Sequence, residues 1–299
     1  MPTMRKIVVA VAGSLLLAAC RGEGERDAGM TPSAATVAEG QEPGGAAAGE
    51  FSAEEIAAMR AGVVSQFGEF RIPITTVGIL LYEGFTTLDA MGPYQVFSEL
   101  PGVQVMLIAA EKGIVRNMAG VGITATHALR DVERVDVLVV PGGFGGTYRA
   151  AHDTTITNWI KRVHPTTTYT TSVCTGAWIL GGAGLLRGRD ATTHWYGKDI
   201  LEQEFGARYR AERWVQSDKI WTSAGVTAGM DLSLELVRQI AGEGFTRAAM
   251  LDLEYAPEPP LRGGTEATTP AETVEWLRAM YDRGIAATKA QMARDSVGR

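Results

Sequence analysis

Two cysteines occur in the 299-residue sequence, Cys20 and Cys174, and their surroundings suit different chemistry. Cys174 stands in Ser172-Val173-Cys174-Thr175-Gly176, where an apolar, β-branched run gives way to a helical period. A nucleophile at a strand-to-helix turn needs small neighbours, because the chain reverses sharply and the residue is driven into a strained conformation. Ser172 and Gly176 meet that need. The helix that follows would aim free N–H groups and the positive end of its dipole at the sulfur, which favours thiolate and lowers the thiol below its usual value of about 8.5. Alone, such a cysteine serves equally well as a small buried hydrophobe.

Three further segments supply groups that could act with the sulfur. Pro141-Gly142-Gly143 offers backbone N–H groups with no side chains in the way. With the N–H of Thr175 these could hold a developing negative charge, or the segment is simply a tight turn. Asp89 lies in GFTTLDAMGP (84–93), ahead of Pro93, which suits the first position of a helix. Its carboxyl is either a turn or cap acceptor or an acid/base partner of the thiol. His194, in Thr192-Thr193-His194-Trp195, reads as a base or ligand contact, or as a satisfied core histidine. Asp231 reads as a helix cap. No metal site is expected: CxxC is absent, and the four histidines (127, 152, 164, 194) lack ligand spacing. No nucleotide is expected either. The phosphate-loop Lys-Ser/Thr is missing, and Gly120-x-Gly122-x-x-Ala125 runs into strand-like residues rather than a helix.

From Ile74 onward, β-branched runs at 76–82, 103–109, 135–140 and 167–173 alternate with helical periods at 93–100, 154–163, 175–186, 198–205 and 228–241. Segments 122–129 and 214–222 read as hairpins or added strands. This alternation predicts an α/β three-layer sandwich with a mostly parallel sheet, its strands apolar throughout because both faces are covered. Ligands in such sheets bind beyond the carboxyl ends of the strands, so the turns carrying Asp89, Gly142-Gly143 and Cys174 should open on one edge.

Cys20 belongs to other chemistry. Residues 1–19 have a basic start (Arg5, Lys6), an apolar run over 7–17 and Ala18-Ala19 before the cysteine, as in a secretory signal too short to span a bilayer. Leu17-Ala18-Ala19-Cys20 looks like a bacterial lipobox, with Cys20 lipidated. The sequence therefore predicts a protein lipid-anchored in the cell envelope on the periplasmic side, at the outer membrane in a didermal bacterium. Residues 20–50, rich in Gly, Ala and Glu, read as a disordered tether of about 30 Å average reach. In 51–73, a capping box at Ser52 and Glu55 opens a short amphipathic helix. The domain proper follows at 74–260, then a C-terminal helix (271–294) and tail within 261–299. A formal net charge of −6 argues against nucleic acid as partner and favours a small-molecule substrate or a protein partner.

The segments LDAMGPYQVF (88–97), DVLVVPGGFG (136–145), SVCTGAWILGGAGLL (172–186), ATTHW (191–195), WTSAGVTAGMDLSLELV (221–237) and LEYAPEPP (253–260) resemble, in this order, the ThiJ/PfpI family of the flavodoxin-like, class I glutamine-amidotransferase-like fold. They look most like its isonitrile hydratase branch. The resemblance implies Cys174 as nucleophile, Asp89 as its acid/base carboxyl and Thr175 beside the sulfur. It further implies cofactor-free hydration of an isonitrile to an N-substituted formamide, and a homodimer as an assembly open to the fold. Protease- and glyoxalase-type relatives often carry a histidine after the cysteine and a glutamate on the first turn, where this sequence has Thr175 and Asp89. A non-catalytic redox or ligand-sensing module and a glyoxalase- or deglycase-like enzyme are the alternative readings. The AraC-type regulators that share the domain need roughly a hundred further residues for DNA binding, and only about forty follow Pro260 here.

Overall fold

The β-branched runs become the strands of one sheet in the computed structural model, which describes residues 52–297. The expected signal, lipidation site Cys20 and tether lie outside the described residues. In chain order the strands are β1 (Thr76–Leu80), β2 (Gln104–Ala109), β3 (Gly113–Arg116), β4 (Gly122–Ala125), β5 (His127–Ala128), β6 (Val137–Val140), β7 (Tyr169–Val173), β8 (Asp190–Ala191), β9 (Arg208–Tyr209), β10 (Trp214–Ser217) and β11 (Ile220–Ser223). The helices are α1 (Ala53–Phe67), α2 (Thr87–Ser98), α3 (Phe144–His152), α4 (Thr154–Val163), α5 (Gly176–Gly182), α6 (Lys198–Gln203), α7 (Ala228–Ala241), α8 (Glu243–Asp252) and α9 (Ala271–Val297).

The main sheet has the order β10-β11-β7-β6-β1-β2-β5. Its pairs are parallel except β10 with β11. Helices cover the sheet, so the central strands β6 and β7 are buried at every residue, as parallel strands between two layers must be. Large side chains fill the space between sheet and helices. Trp159 and Trp178 are fully buried, and each donates its indole N–H to a carbonyl, that of Val132 at 2.9 Å and that of Gly197 at 3.0 Å. A buried tryptophan left without such an acceptor would be costly.

Several elements depart from the sequence expectation. α2 begins at Thr87, six residues ahead of Pro93, so the proline sits inside the helix and Asp89 in its first turn. Pro93 lacks the N–H that would bond to Asp89's carbonyl, yet the helix continues because Val96 and Phe97 beyond it are buried in the core. The glycine-rich segment after β6 turns only at Gly142 and Gly143, and helix α3 starts at once with Phe144. Packing there overrides the poor helix propensity of Gly145 and Gly146. α5 is shorter than the 175–186 period, ending at Gly182. α1 opens with the capping box at Ser52 and Glu55, whose N–H···O distances are 2.8 and 3.2 Å, and lays Phe67 edge-on against Phe245 of α8. α9 runs on to Val297 and packs against α3.

Candidate active site

β1, β6 and β7 run parallel, so their carboxyl ends lie at one edge and the turns that follow them meet there. Cys174 leaves β7 with φ +59°, a left-handed conformation for a residue with a side chain. Such a conformation costs roughly 1–3 kcal/mol and persists only where the surroundings over-determine it. Here they do. The Cys174 N–H donates to the carbonyls of Ser223 and Ala224, both at 3.1 Å, and its carbonyl accepts from Thr193 Oγ1 at 2.9 Å. The sulfur is thereby fixed against the start of α5 although its residue is only 1% exposed.

Asp89 comes to the same point from α2 and is fully buried. Its Oδ2 accepts the Gly142 N–H at 3.0 Å. Oδ1 has no hydrogen-bond partner among the described residues, and the Cys174 thiol is the side chain that acts on this carboxyl. Burial raises the carboxyl to about 7, against the smaller opposing pull of the Cys174 and Gly142 hydrogen bonds. The thiol moves the same way. Burial first, then the neighbouring carboxylate, push it well above its ordinary value, and the Thr175 N–H opposes this only in part. The thiolate expected from the helix terminus alone is thus corrected, because dehydration of a fully enclosed sulfur outweighs one short helix. Asp89 therefore gives up its proton near neutral pH while the thiol keeps its own, a proton that the neighbouring carboxylate is placed to take.

The glycine turn is likewise different from the expectation of open oxyanion donors. The Gly142 N–H is engaged by Asp89, and the Gly143 N–H donates to Thr175 Oγ1 at 3.1 Å. Thr175 donates onward to Thr147 Oγ1 at 3.1 Å. Thr147 lies 2.9 Å from the Tyr82 hydroxyl, which donates to the Pro141 carbonyl at 2.7 Å. This closed chain fixes the turn rather than offering free N–H groups. Gly142 is required by closeness: a Cβ there would lie 2.7 Å from the Thr175 nitrogen and 2.8 Å from Asp89 Oδ2. The donor left facing the sulfur is the Thr175 N–H.

His194 also reaches the site. Gly225 lies between its ring and the sulfur, since a Cβ on Gly225 would overlap the imidazole and stand 3.5 Å from Cys174 Sγ. Burial lowers His194 to about 4, so the ring is neutral at physiological pH. Its Nδ1 accepts the Tyr196 N–H at 3.4 Å, which leaves the proton on Nε2. Aromatic side chains surround it. Phe144 meets the imidazole edge-on at 5.1 Å between centroids, and Tyr281 of α9 stacks on Phe144 at 4.2 Å. Sequence reasoning missed Tyr82, Thr147, Thr193, the Ala224-Gly225 segment and Tyr281. Tyr82 and Thr147 flank turns already singled out, so proximity to those turns was a usable signal, whereas nothing in the spacing points to Tyr281. Asp231 lies in the first turn of α7, paired with Arg213 and the Tyr255 hydroxyl, and anchors the segment after α8. Among the described residues no three His, Cys, Asp or Glu side chains gather as a metal site.

Residues 75–239 match the DJ-1/PfpI family, and the elbow cysteine with its carboxyl lies inside that match. The chain belongs to the DJ-1/PfpI family. An isonitrile hydratase of Pseudomonas putida is 37% identical over 202 residues, which cover 68% of this chain and 88% of that protein. A glutathione-independent glyoxalase of Caenorhabditis elegans is 27% identical over 154 residues, 51% of this chain and 81% of that one. Among solved structures, a ThiJ/PfpI family protein from Pseudomonas syringae superposes with a TM-score of 0.69 at 33% identity, covering 73% of this chain and 90% of that one. This DJ-1/PfpI chain extends past the family match, and α9 with Tyr281 falls in that extension.

Proposed function

We propose that this DJ-1/PfpI protein is a cysteine-dependent, cofactor-free enzyme that hydrates small uncharged electrophiles, with isonitriles as substrate and N-substituted formamides as product. The observation that carries this reading is the buried pair of Cys174 and Asp89 at the strand-to-helix turn, a thiol beside a carboxyl that burial raises to about 7. A neutral His194 and the Phe144 and Tyr281 rings favour an uncharged ligand beside it. Likeness to the isonitrile hydratase points the same way.

The pair supplies both a nucleophile and a proton. In the productive form the thiol has passed its proton to the Asp89 carboxylate, leaving a thiolate beside a protonated carboxyl. The C–S bond forms at the terminal carbon of the isonitrile while Asp89 protonates that same carbon, giving a thioimidate and a carboxylate. Water then adds to the C=N carbon; Asp89 takes one of its protons and passes it to nitrogen. As the C=O bond forms, the C–S bond breaks, the thiolate departs and Asp89 takes the hydroxyl proton. One isonitrile and one water yield one formamide, and the pair returns to its starting state. General acid–base help of this kind is worth about 10²–10⁴-fold. Thr175 N–H steadies the sulfur as it leaves.

Incubating the full chain with an alkyl isonitrile and measuring formamide by mass spectrometry tests the reading. Turnover is expected, and Cys174→Ala should abolish it. No turnover by the unaltered protein, or turnover surviving in Cys174→Ala, overturns it. Methylglyoxal serves as the comparison substrate, since the glyoxalase of C. elegans supports a second reading on α-oxoaldehydes. Redox sensing finds less support, because an enclosed thiol raised above its usual value is poorly oxidised. We further propose, from the sequence of residues 1–20, that Cys20 anchors the protein by lipid in the bacterial envelope. Loss of detergent-phase partitioning in Cys20→Ala is the expected outcome, and unchanged partitioning contradicts it.

A further inference from the structure

We propose that α9 is a hinged wall of the Cys174 site and that Tyr281 is its specificity-determining side chain, through which the helix admits small uncharged ligands and refuses bulky ones. The inference rests on the proposed function in one respect, that Cys174 is the reacting atom.

A site of this depth needs a way in. Cys174 and Asp89 are 1% and 0% exposed, so no ligand reaches the sulfur unless a wall moves. β7, α5 and β11 cannot supply that movement, being joined by ladder bonds and by the bonds that hold the elbow. α9 is built differently. Ile285 and Thr288 are its only buried described residues, whereas α7 buries nine of its 14.

Polar contacts line its rim. Lys289 pairs with Glu204 at 2.7 Å, Arg278 with Glu266 at 2.9 Å, and Asp282 accepts from the Tyr196 hydroxyl at 2.8 Å. Ion pairs this exposed hold a helix only weakly. A cavity of about 280 Å³ lies between α9 and the Tyr196–Ile200 segment, another mark of loose docking. The chain leading to α9 is exposed throughout 256–265 and contains Gly263 and Gly264, neither of which has a neighbour at its Cβ position. These features make a hinge.

Tyr281 is the point where this wall meets the site. Its ring stacks on Phe144 at 4.2 Å, with planes 10° apart, and stands edge-on to His194 at 5.9 Å. Phe144 is itself held at φ +35° directly after the glycine turn. An aromatic pair of this kind adds a modest attraction beyond its buried area, enough to favour closure and small enough to yield. Tyr281 makes no side-chain hydrogen bond through its hydroxyl among the described contacts, so the ring rather than the oxygen should matter.

The test measures alkylation of Cys174 in the full-length chain by iodoacetamide and by a bulkier N-aryl maleimide, read at the Cys174 peptide so that Cys20 does not interfere. In the wild type, iodoacetamide should react well ahead of the maleimide. Tyr281→Ala should speed the maleimide about tenfold, equivalent to ~1.4 kcal/mol of lost closure. Tyr281→Phe should behave as wild type, and so should Trp276→Ala on the exposed side of the same helix. A Tyr281→Ala rate within about twofold of wild type overturns the proposal, as does equal acceleration by Tyr281→Phe or Trp276→Ala. Amide exchange in the unaltered protein gives a second reading that no misfolded variant can confuse. Residues 271–297 should exchange well before 228–241, and equal protection contradicts the hinge. None of these measurements uses an isonitrile, so absence of isonitrile turnover would overturn the substrate assignment and leave the gate standing.

Discussion

The elbow and the C-terminal helix meet across the same sulfur but are secured by opposite means. Cys174 is held in a strained conformation by its N–H, which donates to the Ser223 and Ala224 carbonyls, and by its carbonyl, which accepts from the Thr193 hydroxyl. α9 reaches the site with one ring and is otherwise held by two buried residues, Ile285 and Thr288, and by partly exposed polar contacts. Strain can be stored where many buried contacts agree, and motion is available where few do. Reactivity and access are therefore written into different parts of the chain, the first inside the family domain and the second beyond it.

Changes at the elbow should have the largest effects. Asp89→Asn keeps the Gly142 contact but removes the group that takes the thiol's proton, and kcat/KM for isonitrile hydration should fall about 10²–10⁴-fold. Stability should move the other way at high pH. The Asp89 carboxyl sits at about 7 in the folded protein, above its ordinary value. It favours folding below the ordinary carboxylate range, and that contribution is lost as pH rises toward 7. At pH 8 the Asn variant should melt about 5 °C higher, or ~2 kcal/mol in a domain of this size, with the advantage vanishing near pH 4. Equal melting temperatures at pH 8 would contradict a buried, uncompensated carboxylate.

Next comes Gly142→Ala, whose Cβ would press on Thr175 and Asp89 together. Denaturant melts should show a loss of about 1–3 kcal/mol, with turnover reduced further because the pair is displaced. The smallest effect belongs to the helix. Lys289→Ala removes the pair with Glu204, and stability should change by no more than about 1 kcal/mol. A larger loss would mean that α9 is as firmly built in as the elbow, and the contrast between the two would fail.

How much of this was legible in the sequence follows from the same contrast. The alternation of β-branched runs and helical periods carried the sheet, and the small residues around Cys174 carried the elbow, because short-range sterics decide both. Asp89 was legible as a candidate, but its place within α2 was not, since Pro93 reads locally as a helix start while burial of Val96 and Phe97 keeps the helix intact around it. Whether the glycine turn offers open donors or is only a tight turn is not legible, because backbone N–H groups carry no mark of their partners. Asp89 and Thr175, distant in sequence, take both of them. The charge state of the sulfur failed for a related reason: a helix terminus is visible in sequence, and complete enclosure is not. Tyr281, more than a hundred residues beyond Cys174, had no local signal at all.

The pH dependence of Cys174 alkylation by iodoacetamide, in the unaltered protein and in Asp89→Asn, tests the passage of the proton from thiol to carboxylate without assuming any substrate. In the unaltered protein the rate should rise through an inflection near 7, where Asp89 gives up its proton. In Asp89→Asn the inflection should move well upward, since burial then acts on the thiol with no carboxyl to take the proton. Superimposable profiles would contradict the pairing of Cys174 with Asp89 on which the chemistry depends.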